Sequence, residues 1–331
     1  MAEYLSVPPE RAGLELDEFL CLAFPGYSKG FLRGEIRSGR VLVDGQPSLP
    51  GKRLRITNVV SADLDEDSVP AVPVAADKEL PVLYSDACVL VVDKPDGLAS
   101  EPERWNAEAG SVAGSLLRLA AETEHGEGGE VRLRLLHRLD KDTSGCVLVA
   151  KHIEAERALR RDFEAGQVHK EYLALVDGEL PTMDGEEFVI DDPIAPDARR
   201  TGRMRVHEKG KPSKTIVTAE QRFDGFTLVR CRPITGRTHQ IRVHLSFAGF
   251  PLMIDRFYGR RDQLMLSEIK RGYRAKKGAV ERPLMDRLTL HAERVQWVDP
   301  LDGTQRSTRS PIPKDLARTL KQLAKVRPPR S

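Results

Sequence analysis

The block Leu135-Leu136-His137-Arg138-Leu139-Asp140-Lys141-Asp142-Thr143-Ser144-Gly145, running on into Cys146-Val147-Leu148-Val149-Ala150-Lys151, constrains this chain more than any other. Two apolar runs, each the length of a buried strand, flank a short polar loop that ends in Gly. Reactive side chains held on a loop between rigid strands are a common way to build an active site. An ordinary strand connection, its Asp and Ser satisfying their own backbone, would read the same way. A calcium loop is a third reading, because Asp140, Asp142, Ser144 and Gly145 fall at EF-hand positions one, three, five and six. It fails at position twelve, where a bidentate Glu is needed and Lys151 stands.

The 331 residues suffice for about two domains, and 40% hydrophobic with 31% charged residues is the balance of a soluble globular protein. The sequence shows neither a membrane-length apolar run nor a signal peptide, so a cytoplasmic protein is expected. Cys21, Cys88, Cys146 and Cys231 are scattered within apolar runs and read as small core residues rather than a zinc site or a disulfide framework. The net charge of +2 conceals segregation. Residues 28–55 hold seven Lys or Arg against two acids, 256–287 ten against four, and 306–331 eight against one. Solvated helix surface explains any one such run; three of them suggest a polyanionic partner.

Along the chain, Leu14, Leu16, Phe19, Leu20 and Leu22 make an apolar cluster. A second helix should start at the cap-like Ser28, with Phe31, Leu32 and Ile36 on one side and Lys29, Arg33 and Arg37 on the other. Gly39-Arg40-Val41-Leu42-Val43-Asp44-Gly45 reads as a strand and an Asp-Gly hairpin turn. From residue 63 to 80 the chain turns acidic and Pro/Ala-rich, a linker composition. Strands are expected over 82–84 and 89–92, followed by the turn Lys94-Pro95-Asp96-Gly97-Leu98, and an acidic Gly-containing loop over 122–130. A helix over 154–166 puts Ala155, Leu159 and Phe163 on one stripe. Strands follow over 168–176 and 226–233, the latter with Arg230 and Arg232 on one face and Val229 and Cys231 on the other. Ile234 to Leu245 reads as a turn into a helix, with Thr238 as N-cap. His239 and His244 lack an acidic third ligand, so no metal is expected there. The segment 260–282 reads as a basic insertion, and 314–325 as a short basic helix.

The His-Arg-Leu-Asp-x-x-Thr-Ser-Gly block at 137–145 resembles the catalytic motif of the RluA-type pseudouridine synthases, and every fixed position is met. The likeness extends from about Pro81 to Pro300. It includes the Lys-Pro-x-Gly-Leu turn, the Lys-x-Tyr of Lys170-Glu171-Tyr172, the run Gly236-Arg237-Thr238-His239-Gln240-Ile241-Arg242, and the closing strand at 288–292. Ile254 stands where that family has Gly before Asp255, and Tyr258-Gly259 resume the pattern. The segment 8–62 resembles the small αL RNA-binding domain of a small-subunit ribosomal protein, with Thr57-Asn58 in place of its closing Gly-Asp.

The resemblance implies an α+β pseudouridine synthase fold, with a mixed, mainly antiparallel central sheet, preceded by the αL domain. Its organisation would be 8–62, RNA-binding; 63–80, linker; 81–305, catalytic; and 306–331, basic tail. It implies Asp140 as the catalytic carboxylate, Arg242 as its partner and Tyr172 in the active site. RNA contacts are expected from Arg138, His137, Lys170, Arg237, His239 and Gln240, and in the first domain from Lys29, Arg33, Arg37 and Arg40. The reaction moves uracil from an N-glycosidic to a C-glycosidic bond and needs no cofactor or metal. Structured RNA would be the partner, ribosomal RNA ahead of transfer RNA, with no membrane and no obligate protein partner. Arg138, two residues before Asp140, is placed to fill the stack that a flipped uridine leaves. Two rivals stand beside this reading: a glycosidase using Asp140 and Asp142, and a non-catalytic RNA-binding or ribosome-assembly factor.

Overall fold

Val89–Val92 and Cys146–Ala150 are apolar runs rich in Val, and the strand Ser144–Ala150 is buried along its whole length, as a strand covered on both faces must be. A computed structural model describes residues 2–24, 27, 29–64, 75–77, 79–102, 109–127, 133–183, 185–274 and 280–329. Ser28, expected to cap a helix, and most of the 63–80 linker lie outside the described residues. The chain divides into two compact units, Met1–Asp77 with Glu101–Leu133, and Lys78–Ser100 with Arg134–Ser331.

The first unit holds β1 (Glu3–Ser6), α1 (Leu16–Ala23), α2 (Lys29–Arg37), β2 (Val41–Val43), β3 (Gln46–Pro47), β4 (Val59–Ala62) and α3 (Val112–Glu127). Its strands run β1-β4-β2-β3, all antiparallel. Asp44 and Gly45 both have positive φ, 54° and 75°, which fits the tight hairpin that an Asp-Gly pair favours. Leu16, Phe19 and Leu20 from α1 meet Leu32 and Ile36 from α2 over Val41, Val43 and Val60. Because β1 pairs with β4, this unit begins ahead of residue 8. The segment read as an acidic loop is helical as far as Glu127, since Ala and Glu sustain a helix against the cost of Gly126; Gly128–Glu130 lie outside the described residues.

The second unit is built on a ten-stranded sheet. In chain order it contains β5 (Val82–Ser85), β6 (Val89–Lys94), β7 (Arg134–Leu135), β8 (Ser144–Ala150), α4 (Ile153–Glu164), β9 (His169–Asp177), β10 (Glu187–Ile190), β11 (Ile194–Pro196), β12 (Met204–Val206), β13 (Thr215–Phe223), β14 (Phe226–Pro233), α5 (Gln240–Phe247), α6 (Leu266–Ile269), β15 (Leu290–Val298), β16 (Gln305–Arg309) and α7 (Lys314–Val326). The strand order is β10-β13-β14-β9-β15-β8-β6-β5, with β16 beside β15 and β7 beside β8, and β11 and β12 form a separate hairpin. The β8–β15 pair is parallel and the other pairs of the sheet are antiparallel, so the sheet is mixed and mainly antiparallel, in an α+β fold.

The residues read as a basic tail carry structure. β16 pairs with β15, and α7 buries Leu316 and Leu323 in the cluster that also takes Leu264 and Ile269 from the basic insertion. Apolar residues at helical spacing outweigh the surrounding positive charge there. Gly145 sits at φ 116° where β8 pairs with β15, and any Cβ there would run into the Ala292 backbone.

Candidate active site

Asp140 lies on the loop between β7 and β8, and that loop is bolted down on both sides of it. Lys94, fully buried at the end of β6, donates to the carbonyls of Pro95 (3.0 Å), Leu98 (2.6 Å) and Lys141 (2.8 Å). Ser100 and Leu139 exchange two hydrogen bonds, at 2.9 and 3.0 Å. Backbone is therefore held at Leu139 and at Lys141, and the residue between them has little freedom to move.

Arg242 reaches this carboxylate from α5, its Nη1 donating to Asp140 Oδ2 at 2.9 Å. The other side of the guanidinium is clamped by Asp255, through Nε at 2.8 Å and Nη2 at 2.9 Å. Asp255 is itself fixed, because its Oδ1 also accepts the N–H groups of Phe257 (2.8 Å) and Tyr258 (3.1 Å). The guanidinium carbon lies 5.4 Å from the Phe257 ring centre and 5.2 Å from that of Tyr258. Burial opposes its charge, but the bonds and charges of Asp255 and Asp140 outweigh that and raise its pKa above the ordinary value. A planar donor fork with three fixed acceptors can point in one direction only.

The helix begins at Gln240 with His239 as N-cap, not at the Thr238 cap expected from sequence. His239 has φ 55°, a left-handed conformation uncommon outside Gly, in which Asn, Asp and His are the non-Gly residues met most often. Its Nδ1 lies 2.8 Å from the Tyr258 hydroxyl and its Nε2 3.8 Å from Asp140 Oδ2. The Tyr258 oxygen also accepts the Met204 N–H at 2.7 Å, so one hydroxyl joins His239 to the β12 backbone. Burial lowers the His239 pKa, with Asp140 acting the other way.

These groups open on a cavity of roughly 540 Å³, the size range of a small-molecule site. Tyr172 on β9 lines it, and burial first and Asp140 second raise its pKa well above the ordinary value, so the phenol keeps its proton. Arg138 and Arg237 are exposed on the lining, and half-buried Lys170 lies 5.5 Å from the Phe163 ring centre. His137 and Gln240 also border the cavity, but their polar atoms serve the protein. His137 Nε2 accepts the Leu148 N–H at 3.0 Å, and burial, then Lys170, push its pKa down to about 3. Gln240 is buried and binds Thr235 (2.6 Å), the Arg237 N–H (3.1 Å), the Lys214 carbonyl (2.9 Å) and Thr215 (3.0 Å). Both shape the wall. Asp142 is exposed and is not among the lining residues.

In the first unit much of the α2 charge is matched internally. Arg33 meets Asp17 at 2.5 Å, Lys29 lies 3.6 Å from Asp17 and 3.7 Å from Glu18, and Arg40 forks onto Glu35 at 2.5 and 2.8 Å. Arg37 is exposed. Glu15, Asp17 and Glu18 are the one acidic group compact enough for a metal among the described residues, and those cations occupy its flank.

Sequence reasoning passed over Asp255, the Lys94 and Ser100 bolts, and Tyr258 as the anchor of His239. A buried Arg that must be aimed needs a second carboxylate, and the Asp255 that follows Ile254 was the available signal. Ile254 itself is buried in the core, and the Asp255 turn forms despite the absent Gly.

A family model described as RNA pseudouridylate synthase matches residues 88–247. Over 96% of its length the chain is 34% identical to "Ribosomal large subunit pseudouridine synthase D" of Xanthomonas campestris pv. campestris, covering 91% of that protein. Over 98% it is 32% identical to "Ribosomal large subunit pseudouridine synthase C" of Escherichia coli K12, covering 97%. Among solved structures, human RNA Pseudouridylate Synthase Domain Containing 1 aligns with a TM-score of 0.50 at 26% identity, over 71% of this chain and 84% of that one. Human RNA Pseudouridylate Synthase Domain Containing 4 shares the fold, with a TM-score of 0.54 at 24% identity over 73% and 92%. Kinship of this degree over nearly the full length of both sequences shows that the chain belongs to the RNA pseudouridylate synthase family.

Proposed function

We propose that the protein isomerises uridine to pseudouridine in large-subunit ribosomal RNA, with Asp140 as the reacting carboxylate. The observation that carries this reading is the 2.9 Å pair of Asp140 with Arg242 at the wall of a nucleoside-sized cavity that Tyr172 also lines. The N1–C1′ bond breaks, the uracil turns, and C5 bonds to C1′; N1 takes up a proton and C5 gives one up. Arg242 and His239 both approach Oδ2, which leaves Oδ1 to act on the nucleotide. A carboxylate so held either attacks carbon covalently or removes a sugar proton. Tyr172 stacks on the base and donates from its protonated hydroxyl. Arg138 fills the vacated stack, while Lys170 and Arg237 take backbone phosphates at the mouth.

A hydrolase would need a second carboxylate able to activate water. Asp142 is exposed, and both oxygens of Asp255 are engaged by Arg242 and backbone N–H groups. A pure binding factor would have no use for an aimed carboxylate in a cavity. Residues 8–62 act as the αL RNA-binding domain, reaching RNA through Arg37. Among the described residues no helix is long and apolar enough to cross a membrane, and a ribosomal RNA substrate places the work in the cytoplasm.

The test uses ribosomal RNA from cells lacking the protein, labelled with tritium at uridine C5. Release of tritium, with new pseudouridines mapped in the large-subunit RNA, is the expected result. No release sinks the reading, and release from transfer RNA alone moves the target.

A further inference from the structure

Between β10 and β13 the sequence holds a further basic stretch. Residues 195–214 carry seven Lys or Arg against two acids. The β11–β12 hairpin occupies its first half, with Arg199, Arg200 and Arg205 exposed. The hairpin is wired into the active site at two points. Arg203 donates to the Phe257 carbonyl at 2.5 Å and lies 5.0 Å from that ring's centre, while Arg242 lies near the same ring. Met204 donates its N–H to the Tyr258 hydroxyl, which holds His239 towards Asp140. The two groups that face Asp140 are thus both set by the Phe257–Tyr258 turn, and that turn is gripped by the hairpin. His239 reinforces the point, because a residue held at φ 55° keeps that conformation only while its surroundings impose it.

We propose that the β11–β12 hairpin is a phosphodiester-reading arm whose Arg199, Arg200 and Arg205 take the RNA backbone beside the target nucleotide, and that Tyr258 is the positioning residue through which its seating aligns His239 on Asp140. This deepens the RNA reading above and rests on it. RNA away from the arm leaves Met204 less firmly placed, the Tyr258 hydroxyl less directed, and the carboxylate less well aimed. The arm therefore acts on rate as well as on affinity, which a plain phosphate contact does not.

The experiment measures single-turnover tritium release from C5-labelled large-subunit RNA at saturating enzyme, together with Kd across a salt series. Wild-type turnover comes first, and its absence would sink the functional reading rather than this one. Tyr258→Phe keeps the ring on which Arg242 rests and removes only the hydroxyl. Its rate at saturation should fall roughly tenfold while Kd stays within about twofold. The triple variant Arg199→Ala/Arg200→Ala/Arg205→Ala, altered only at exposed side chains, should lose affinity and flatten the log Kd against log salt slope by roughly 2. It should also turn over more slowly at saturation, and adding Tyr258→Phe should cause little further loss. A triple variant as fast as wild type at saturation overturns the proposal. So does Tyr258→Phe at wild-type rate, or rate losses that simply multiply.

Discussion

Asp255 grips Arg242 through both of its carboxylate oxygens, at 2.8 and 2.9 Å, and so decides where the third donor of the guanidinium points. Asp255→Asn replaces one acceptor with a donor that opposes Arg242 and the nearby N–H groups. Because the pair is buried, the loss should be about 3 kcal/mol of stability by denaturant unfolding. Turnover should fall further than the folded fraction does, since the remaining Arg242 is no longer aimed at Asp140. Activity that merely tracks the folded fraction would make Asp255 a scaffold residue.

Asp140→Asn keeps size and polarity but removes the charge. Tritium release should drop by at least ~1,000-fold, while RNA affinity stays within a few-fold. A residual rate near one tenth of wild type would place the reacting group elsewhere.

Arg138 tests base flipping through its dependence on substrate. Arg138→Ala should slow modification strongly on a folded stem-loop and much less on an unstructured oligonucleotide carrying the same uridine, both at saturating enzyme. Equal losses would leave it a backbone contact.

Lys94 should give the second unit a pH signature. Burial pulls its ammonium down to about 7, partly offset by the carboxylates of Asp142, Asp96 and Asp140. An unfolded lysine titrates near ~10.4, so between those values the unfolded chain binds more protons and stability rises with pH. The burial cost is carried in full below the folded value and relieved as pH climbs to the unfolded one. Unfolding free energies measured from roughly pH 6 to 10 should show wild type gaining on Lys94→Met. Parallel curves would mean that Lys94 keeps one charge state throughout.

The motif residues Asp140, Tyr172 and Arg242 could be picked out because the motif fixes residue type and local spacing together, and the structure brings all three to one cavity. The mixed sheet was legible as strands, but not as an order, since β8 and β15 are separated by more than a hundred residues and only the fold pairs them. His137 and Gln240 read as RNA contacts because nothing local separates a polar group facing a ligand from one that satisfies the backbone. His239 was named, but its left-handed backbone could not be, since that conformation is imposed by Tyr258 and the start of α5. The charge of the hairpin at 194–206 escaped because it is interleaved with Asp, Pro and Gly, and no single run stands out.

The separations within the site also bear on when it comes into being. Asp140 meets Arg242 across 102 residues, Ser144 meets His291 across 147, and Arg287, which donates to Ser144, is held by Asp315 at 2.6 and 2.9 Å. Local helices and hairpins can form as the polypeptide is made, but contacts this distant wait for the later residue to emerge. A growing chain that has exposed Asp140 still lacks Arg242, its hydrogen-bond partner, and the helix that braces the next strand. Translation order thus leaves the Asp140–Arg242 pair unassembled until the chain has grown past α5.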